Sequence, residues 1–321
     1  MVKNIIYIAL LLGVLPKAYS QGAFSYAELN NSPQGLAMGG LSTAVDANAF
    51  SVFDNAASVS FSDKTFEAGV LYSPWAKEGT SGMDRDNMLI NAGGYYRAND
   101  NSSLLFGFSY YAPGGNKMYI TDENGNITGD EIRSRYLSVD LGYAYRINDL
   151  WSVSATGRYV NWRIVSSDLV EAVSFDVALM RRFGLGNFGN IDASLKLSNW
   201  GTMISGENRD SYELPGSVSV GGLWNTSFAE KHGVKVGVEA GYRLMDTKAL
   251  HASGGAEYSY GDFVFVRGGY NFSEYDTKNL SYASAGIGGK YKMVRVDASY
   301  LFADSKSPLN NTFMVGLSFG F

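Results

Sequence analysis

The last eleven residues, NTFMVGLSFGF, alternate without a break. Phe313, Val315, Leu317, Phe319 and Phe321 fall on one side, and Thr312, Met314, Gly316, Ser318 and Gly320 on the other. A period of two over a whole segment reads as a β-strand. Large apolar residues opposite small or polar ones suit a sheet with lipid on one face and a watery lumen on the other. The pattern recurs through the chain. MVRVDASYLF sets Val294, Val296, Ala298, Tyr300 and Phe302 against Arg295, Asp297 and Ser299. GVKVGVEAGYRL and YLSVDLGYAYRI repeat it, with Lys235, Glu239 and Arg243, then Asp140, opposite the apolar positions. The spacing predicts about fourteen strands, as an even-numbered bacterial barrel requires. They start near Thr65, Asn87, Ser102, Glu131, Leu150, Glu171, Ile191, Pro215, Gly233, Ala249, Phe263, Ser281, Met293 and Asn311.

The connections alternate in length. Those at 74–86, 113–130, 165–170, 201–214, 273–280 and 303–310 are long; those at 98–101, 148–149, 185–190, 227–232, 261–262 and 292 are short. A soluble β-sandwich has no reason to alternate its loops, whereas a transmembrane barrel has short periplasmic turns and longer outer loops. Tyrosine (22) and phenylalanine (18) are abundant and gather at strand ends, where an interfacial girdle wants them. The expected fold is therefore all-β: a transmembrane antiparallel barrel of about 14 strands in a Gram-negative outer membrane, with both termini periplasmic.

The opening MVKNIIYIALLLGVLPKAYSQG reads as a cleavable secretory signal over residues 1–20. Lys3 supplies the charge, and Ile5–Leu15 an apolar core of about eleven residues, too short to span a bilayer as a helix. Ala18 and Ser20 precede the expected cut. Removing Lys3 and Lys17 takes the net charge from −5 to −7, which argues against nucleic acid as a partner. The chain has no cysteine, so it holds no disulfide or thiolate metal site.

Residues 21–62 precede the first strand, with residues 63–321 assigned to the barrel. Fourteen strands enclose a lumen wider than an eight-stranded barrel can fill with its own side chains. The small, half-apolar stretch AMGGLSTAVDANAFSVFDNAASVSF (37–61) suits a plug folded back into it, with Gly39 and Gly40 allowing close approach to the wall. The same stretch carries a resemblance. Gly35-Leu36-Ala37-Met38-Gly39-Gly40, then Ala44, Asp46 and Ala49, then Asn55-Ala56-Ala57, resembles the N-terminal signature of the FadL-like outer-membrane barrels. Ala56 stands where that signature has proline. The group includes the long-chain fatty-acid transporters and the PorV/PorQ proteins of type IX secretion. The resemblance implies an N-terminal hatch held inside the barrel, carried here by Met38, Gly39, Gly40, Asp46 and Asn55. The compact length and short outer loops favour the PorV/PorQ-like branch. The terminal strand, ending in Phe321, also resembles those recognised by outer-membrane assembly machinery.

Catalysis is not expected. His232, in AEKHG, reads as a solvated turn residue. His251, Ser253 and Glu257 share a strand face in a His-x-Ser arrangement with a carboxylate, but i and i+2 are about 7 Å apart along a strand. That face is also the lumen. The loop TDENGNITGDE (121–131) offers Asp122, Asn124, Asn126 and Asp130 as oxygen ligands, yet Ile127 stands where a calcium loop needs glycine. Asn124-Gly125 reads as a tight turn. No metal or cofactor is expected.

The luminal charges are Asp140, Arg158, Asp176, Lys235, Glu239, Arg243, Arg267, Arg295 and Asp297, with Asp192, Lys196, Glu257 and Lys290. Seven are positive and six negative. So even a balance reads as cross-strand ion pairs, where a selective pore would show a ring of one sign. Two functions follow from the resemblance. One is PorV-like binding or hand-off of exported or envelope proteins, with loops 74–86, 113–130 and 201–214 as contact surface. The alternative is FadL-like transport of a small hydrophobic, fatty-acid-like molecule through a lumen lined by Tyr111, Trp162 and Tyr282. A kink or gap in a strand, opening the lumen sideways to the bilayer, would favour the alternative, and the glycine-rich run 285–289 is the place to look for one.

Overall fold

The computed structural model describes residues 31–74, 88–112, 118–121, 127–132, 135–163, 169–206, 213–245, 248–274, 280–305, 307 and 309–321. The expected signal and the stretch 21–30 lie outside them.

Fourteen strands form one closed antiparallel ring. In chain order they are β1 (Phe66–Ser73), β2 (Met88–Arg97), β3 (Ser102–Ala112), β6 (Arg135–Arg146), β7 (Trp151–Arg163), β8 (Leu169–Gly184) and β9 (Asn190–Ser205). They continue with β10 (Ser217–Phe228), β11 (His232–Arg243), β12 (Ala249–Tyr260), β13 (Val264–Ser273), β14 (Tyr282–Tyr291), β15 (Val294–Ala303) and β16 (Phe313–Gly320). Closure comes from β1 pairing with β16, Val70 opposite Leu317. The remaining two strands, β4 (Met118–Thr121) and β5 (Ile127–Ile132), make a separate hairpin. That hairpin corrects the expected fourth barrel strand, which starts at Arg135 rather than near Glu131. Closing a short local hairpin costs less chain entropy than recruiting the same residues into the distant wall.

Alternation sorts the side chains as the sequence pattern requires. Outward positions are apolar and open, from Val70 at 51% to Leu141 at 68% exposed, while inward Asp140 and Arg267 are at 0% and 3%. So much exposed apolar surface is intolerable in water and natural against lipid. Short turns join β2–β3, β6–β7, β8–β9, β10–β11, β12–β13 and β14–β15, all at one end of the ring. The start of β1 and the end of β16 lie at that same end, where Thr65 and Phe66 donate backbone hydrogen bonds to the Phe321 carbonyl (2.8 and 3.0 Å). The other end carries the long connections and is called here the long-loop end.

The wall is continuous across the glycine-rich run 285–289, where a gap would have favoured small-molecule passage. β14 pairs without a register shift with both β13 and β15 across 285–289. Among the described residues of the ring, register shifts occur only between β8 and β9, beside Asp176 and Glu171. At the first of these, Asn199 takes a left-handed conformation (φ 55°) and side chains seal the bulge. Asp176 Oδ1 accepts the Asn199 amide (2.7 Å), and Arg158 Nη1 donates to Asn199 Oδ1 (2.6 Å).

Residues 31–62 lie inside the ring and touch strands all the way round it. Helix α1 (Pro33–Ala37) starts at Ser32, whose Oγ accepts the Gly35 amide, with proline in the first turn. It stops at Gly39-Gly40, both at φ near +79°. A 3-10 turn follows at Ala56–Phe61, capped by Asn55, whose Oδ1 accepts the Ala57 amide (3.0 Å).

Candidate functional site

The occupied lumen is the candidate site, and glycine makes it possible. Nine strands carry an inward glycine where the segment packs: Gly69, Gly93, Gly107, Gly221, Gly237, Gly255, Gly269, Gly286 and Gly316. A Cβ on Gly316 would meet Pro33; on Gly286, Ala37; on Gly237, Leu41; on Gly221, Ala44; on Gly107, Phe53. At Gly255 and Gly269 it would strike the backbone of Met38 and Gly39. Gly39 answers from the other side, since a Cβ there would lie 2.6 Å from the Tyr270 carbonyl oxygen. Backbone thus lies on backbone. Within the run 285–289, Gly286 makes room for Ala37 of the segment, and the wall stays closed there.

Polar bonds pin the segment at both sides. Gly39 N–H donates to Ser284 Oγ (3.0 Å), and Ser284 donates back to the Ala37 carbonyl (3.1 Å). Ser42 and Thr43 both donate backbone amides to Glu239 Oε2 at 2.8 Å. Asn55 Nδ2 donates to the Thr43 carbonyl (2.6 Å) and to Ser194 Oγ (3.1 Å), tying segment to segment and segment to wall. Met38, Gly39, Gly40, Asp46 and Asn55 all contact the wall or each other's neighbours; Tyr282 Oη closes over Gly40.

The charged residues form two clusters. In one, Arg158 reaches Asp140 (2.5 Å) and Asp176 (3.9 Å). In the other, Arg267 bridges Glu257 (2.6 Å) and Asp297 (2.8 Å), Lys235 joins Glu257 (3.0 Å), and Arg295 joins Asp297 (2.8 Å). That second cluster has three wall cations against two wall carboxylates. Asp46 of the segment supplies the missing charge through Lys235 (2.5 Å), and Gln34 Nε2 donates to Asp297 (2.9 Å). Five expected members lie outside these clusters; two of them are Asp192, paired with Arg182 (2.7 Å), and Lys196, which donates to the Phe53 carbonyl (3.5 Å). Glu239 serves the segment's amides rather than a cation. Lys290 pairs with Asp262 in the turn after β12, at the solvent-exposed rim. Arg243 lies at the long-loop end of β11, opposite Ser217 and Ala249.

Sequence reasoning passed over Asp54. It is buried in the segment, and its Oδ2 accepts no hydrogen bond. Burial, the largest influence, pushes its carboxyl up to about 7; Lys196 pulls it back and Glu239 pushes it up further. An acid raised on folding adds a penalty that grows between its unfolded value, about 4, and its folded one. Wild-type unfolding temperature should accordingly fall between about pH 4 and pH 7. Asp54→Asn is expected to flatten that fall, as measured by circular dichroism on detergent-solubilised protein.

Tyr111, Trp162 and Tyr282 are all inward and buried. Tyr111 and Trp162 flank Tyr136, opposite each in register, so the three form one aromatic row across β3, β6 and β7. Tyr136 was not anticipated; its inward place on the alternation was the available signal. Tyr282 faces them from the far side of the ring. The row shares one apolar cluster with Leu36, Phe50, Val52 and Phe53 of the segment.

No catalytic group assembles from the candidates. Ser253 Oγ accepts Asn271 Nδ2 (2.9 Å), Glu257 is held by cations, and His251 Nε2 faces Ser219 Oγ at 3.5 Å. His232 corrects the expectation of a solvated turn residue. It faces outward, stacks on Phe228 (5.2 Å), meets Tyr260 edge-on (5.2 Å) and bonds Tyr258 Oη (2.7 Å). The loop residues Asp122, Asn124 and Asn126 lie outside the described residues, and among the described residues no cluster could hold a metal.

A family model described as type IX secretion system protein PorV matches residues 23–249. No curated protein matches the chain. Among solved structures, the toluene transporter TbuX of Ralstonia pickettii superposes with a TM-score of 0.57 at 15% identity, covering 90% of this chain and 97% of that one. The toluene transporter TodX of P. putida gives 0.56 at 15% identity, with 90% and 98% covered. At such identity these likenesses show the fold alone.

Proposed function

The chain belongs to the PorV family of type IX secretion proteins, and from that premise we propose that it works as a closed outer-membrane docking protein, binding or handing off exported or envelope proteins. One observation carries this reading: residues 31–62 lie inside the ring, packed on its inner wall, and the described strands pair all the way round. A conduit for small molecules needs a free path, whereas a docking protein needs a stable frame. Residues 31–62 act as the plug. The short-turn end faces the periplasm, with both chain ends there, and the long connections face outward. Loops 74–86, 113–130 and 201–214 form the contact surface for the cargo. The acidic net charge argues against nucleic acid as a partner.

The second reading, passage of a small hydrophobic molecule, draws on the aromatic row of Tyr111, Tyr136 and Trp162 with Tyr282 opposite. It requires the plug to move. Native mass spectrometry on protein gently extracted from its own membrane separates the two. A co-purifying protein of defined mass, lost when the three loops are trimmed, is the expected result. An acyl-chain-sized adduct without a protein partner would reverse the order.

A further inference from the structure

The twin arginines of Met180-Arg181-Arg182-Phe183 meet opposite fates, because alternation sends one inward and the other outward. Inward Arg182 finds a carboxylate at once: its guanidinium makes a two-pronged bond to Asp192 (2.8 and 2.7 Å) and lies over the Phe61 ring at 4.5 Å. Outward Arg181 finds only aromatic rings. Its guanidinium carbon sits 4.4 Å from the centre of Phe183 and 5.0 Å from that of Trp151, the residue directly opposite it on β7. Among the described residues no carboxylate pairs with it, and its buried Nε donates no hydrogen bond.

The surroundings of Arg181 belong to the membrane. Leu179, Phe183 and Leu150 beside it are apolar and exposed (38%, 39% and 46%). Among the described strand residues, Arg181 is the one outward-facing Lys or Arg in the short-turn half of the barrel. A cation on the lipid face is costly near the bilayer centre and tolerated near the headgroups, where Trp also settles. The planar guanidinium fork, still lacking a partner, matches a phosphate in shape and charge. The anion available at that depth is a lipid headgroup.

We propose that Arg181, held between Trp151 and Phe183, binds the phosphodiester of a glycerophospholipid in the leaflet at the short-turn end. The choice of a glycerophospholipid over lipid A rests on the orientation proposed above, since lipid A occupies the outer leaflet.

Full-length protein, delipidated in detergent, is titrated with phosphatidylglycerol, with diacylglycerol of the same chains and with lipid A, and bound lipid is read by native mass spectrometry. Arg181→Gln is expected to weaken phosphatidylglycerol retention about tenfold, the scale of a lost charge-assisted bond, while diacylglycerol retention stays unchanged. Arg181→Lys keeps the charge without the fork and should lose less; it also serves if the glutamine variant does not fold. Equal phosphatidylglycerol retention in wild type and both variants would overturn the site. A loss confined to lipid A would overturn the glycerophospholipid assignment and the orientation together, while leaving Arg181 as a phosphate site. Competition by millimolar inorganic phosphate is expected to be weak, because the acyl chains add their own burial.

Discussion

Gly269→Val is expected to push Met38 and Gly39 off the β13 wall and turn a silent barrel into a conducting one. A Cβ at position 269 would run into the Gly39 amide and the Met38 carbonyl carbon, both backbone atoms with no rotamer to yield. Overpacking a core costs about 1–3 kcal/mol even where side chains can give. Here the cheaper response is for the segment to leave. It would forfeit the Gly39–Ser284 pair of hydrogen bonds and the burial of Leu36 and Leu41, both at 0% exposure. Planar-bilayer recordings should show discrete conductance steps for the variant and none for wild type. Gly268→Val, whose side chain would face lipid beside a single ordinary contact at 3.8 Å, is the control and should stay silent. Steps in neither variant would mean that the segment holds against the insertion. Steps in both would mean that valine perturbs the strand itself.

The largest loss of stability is expected from Arg267→Met. Its side chain is fully buried and bridges two carboxylates that are themselves nearly inaccessible, Glu257 and Asp297. Removing the shared cation leaves two buried charges short of a partner, which costs about 3–5 kcal/mol for a broken buried pair. Lys235 and Arg295 soften but cannot cancel that, because Lys235 is shared with Asp46 and Arg295 reaches only Asp297. The midpoint of heat-induced unfolding, followed by the gel shift typical of outer-membrane barrels, should fall by many degrees. Adding Glu257→Gln to Arg267→Met should recover part of the loss, since one of the stranded charges disappears. No recovery would show that the damage is one of packing.

The ring itself was legible in the chain because alternation is local. Every strand needs only its own residues to declare which face is lipid and which is lumen, and the observed starts fall within about four residues of the expected ones. The luminal segment was legible for a different reason: a wide barrel leaves space, and small residues ahead of the first strand can fill it. What alternation could not show was partnership across the lumen. Glu239 looked like one more member of an ion-pair set, yet its partners are backbone amides almost two hundred residues away. The inward glycines gave no signal as a group, since each matters only for the residue of the segment that lies on it. Arg181 was hidden by the rule that charges keep to the inner face, a rule it breaks. The β4–β5 hairpin was missed because its strands are short and sit inside a connection.

The last residues of the luminal segment are fastened where the chain enters β1. Ser62 Oγ bonds Tyr95 Oη (2.7 Å), its carbonyl accepts Arg97 Nη1 (2.5 Å), and Lys64 grips Glu67 (2.8 Å). Mechanically, the segment is a lever with its fulcrum at Ser62. Any swing moves Ala57 least and Met38–Gly39 most, so release would begin at β12–β14 and reach the Asn55 bonds last. A spin label at position 38 should therefore report motion that one at position 57 scarcely feels.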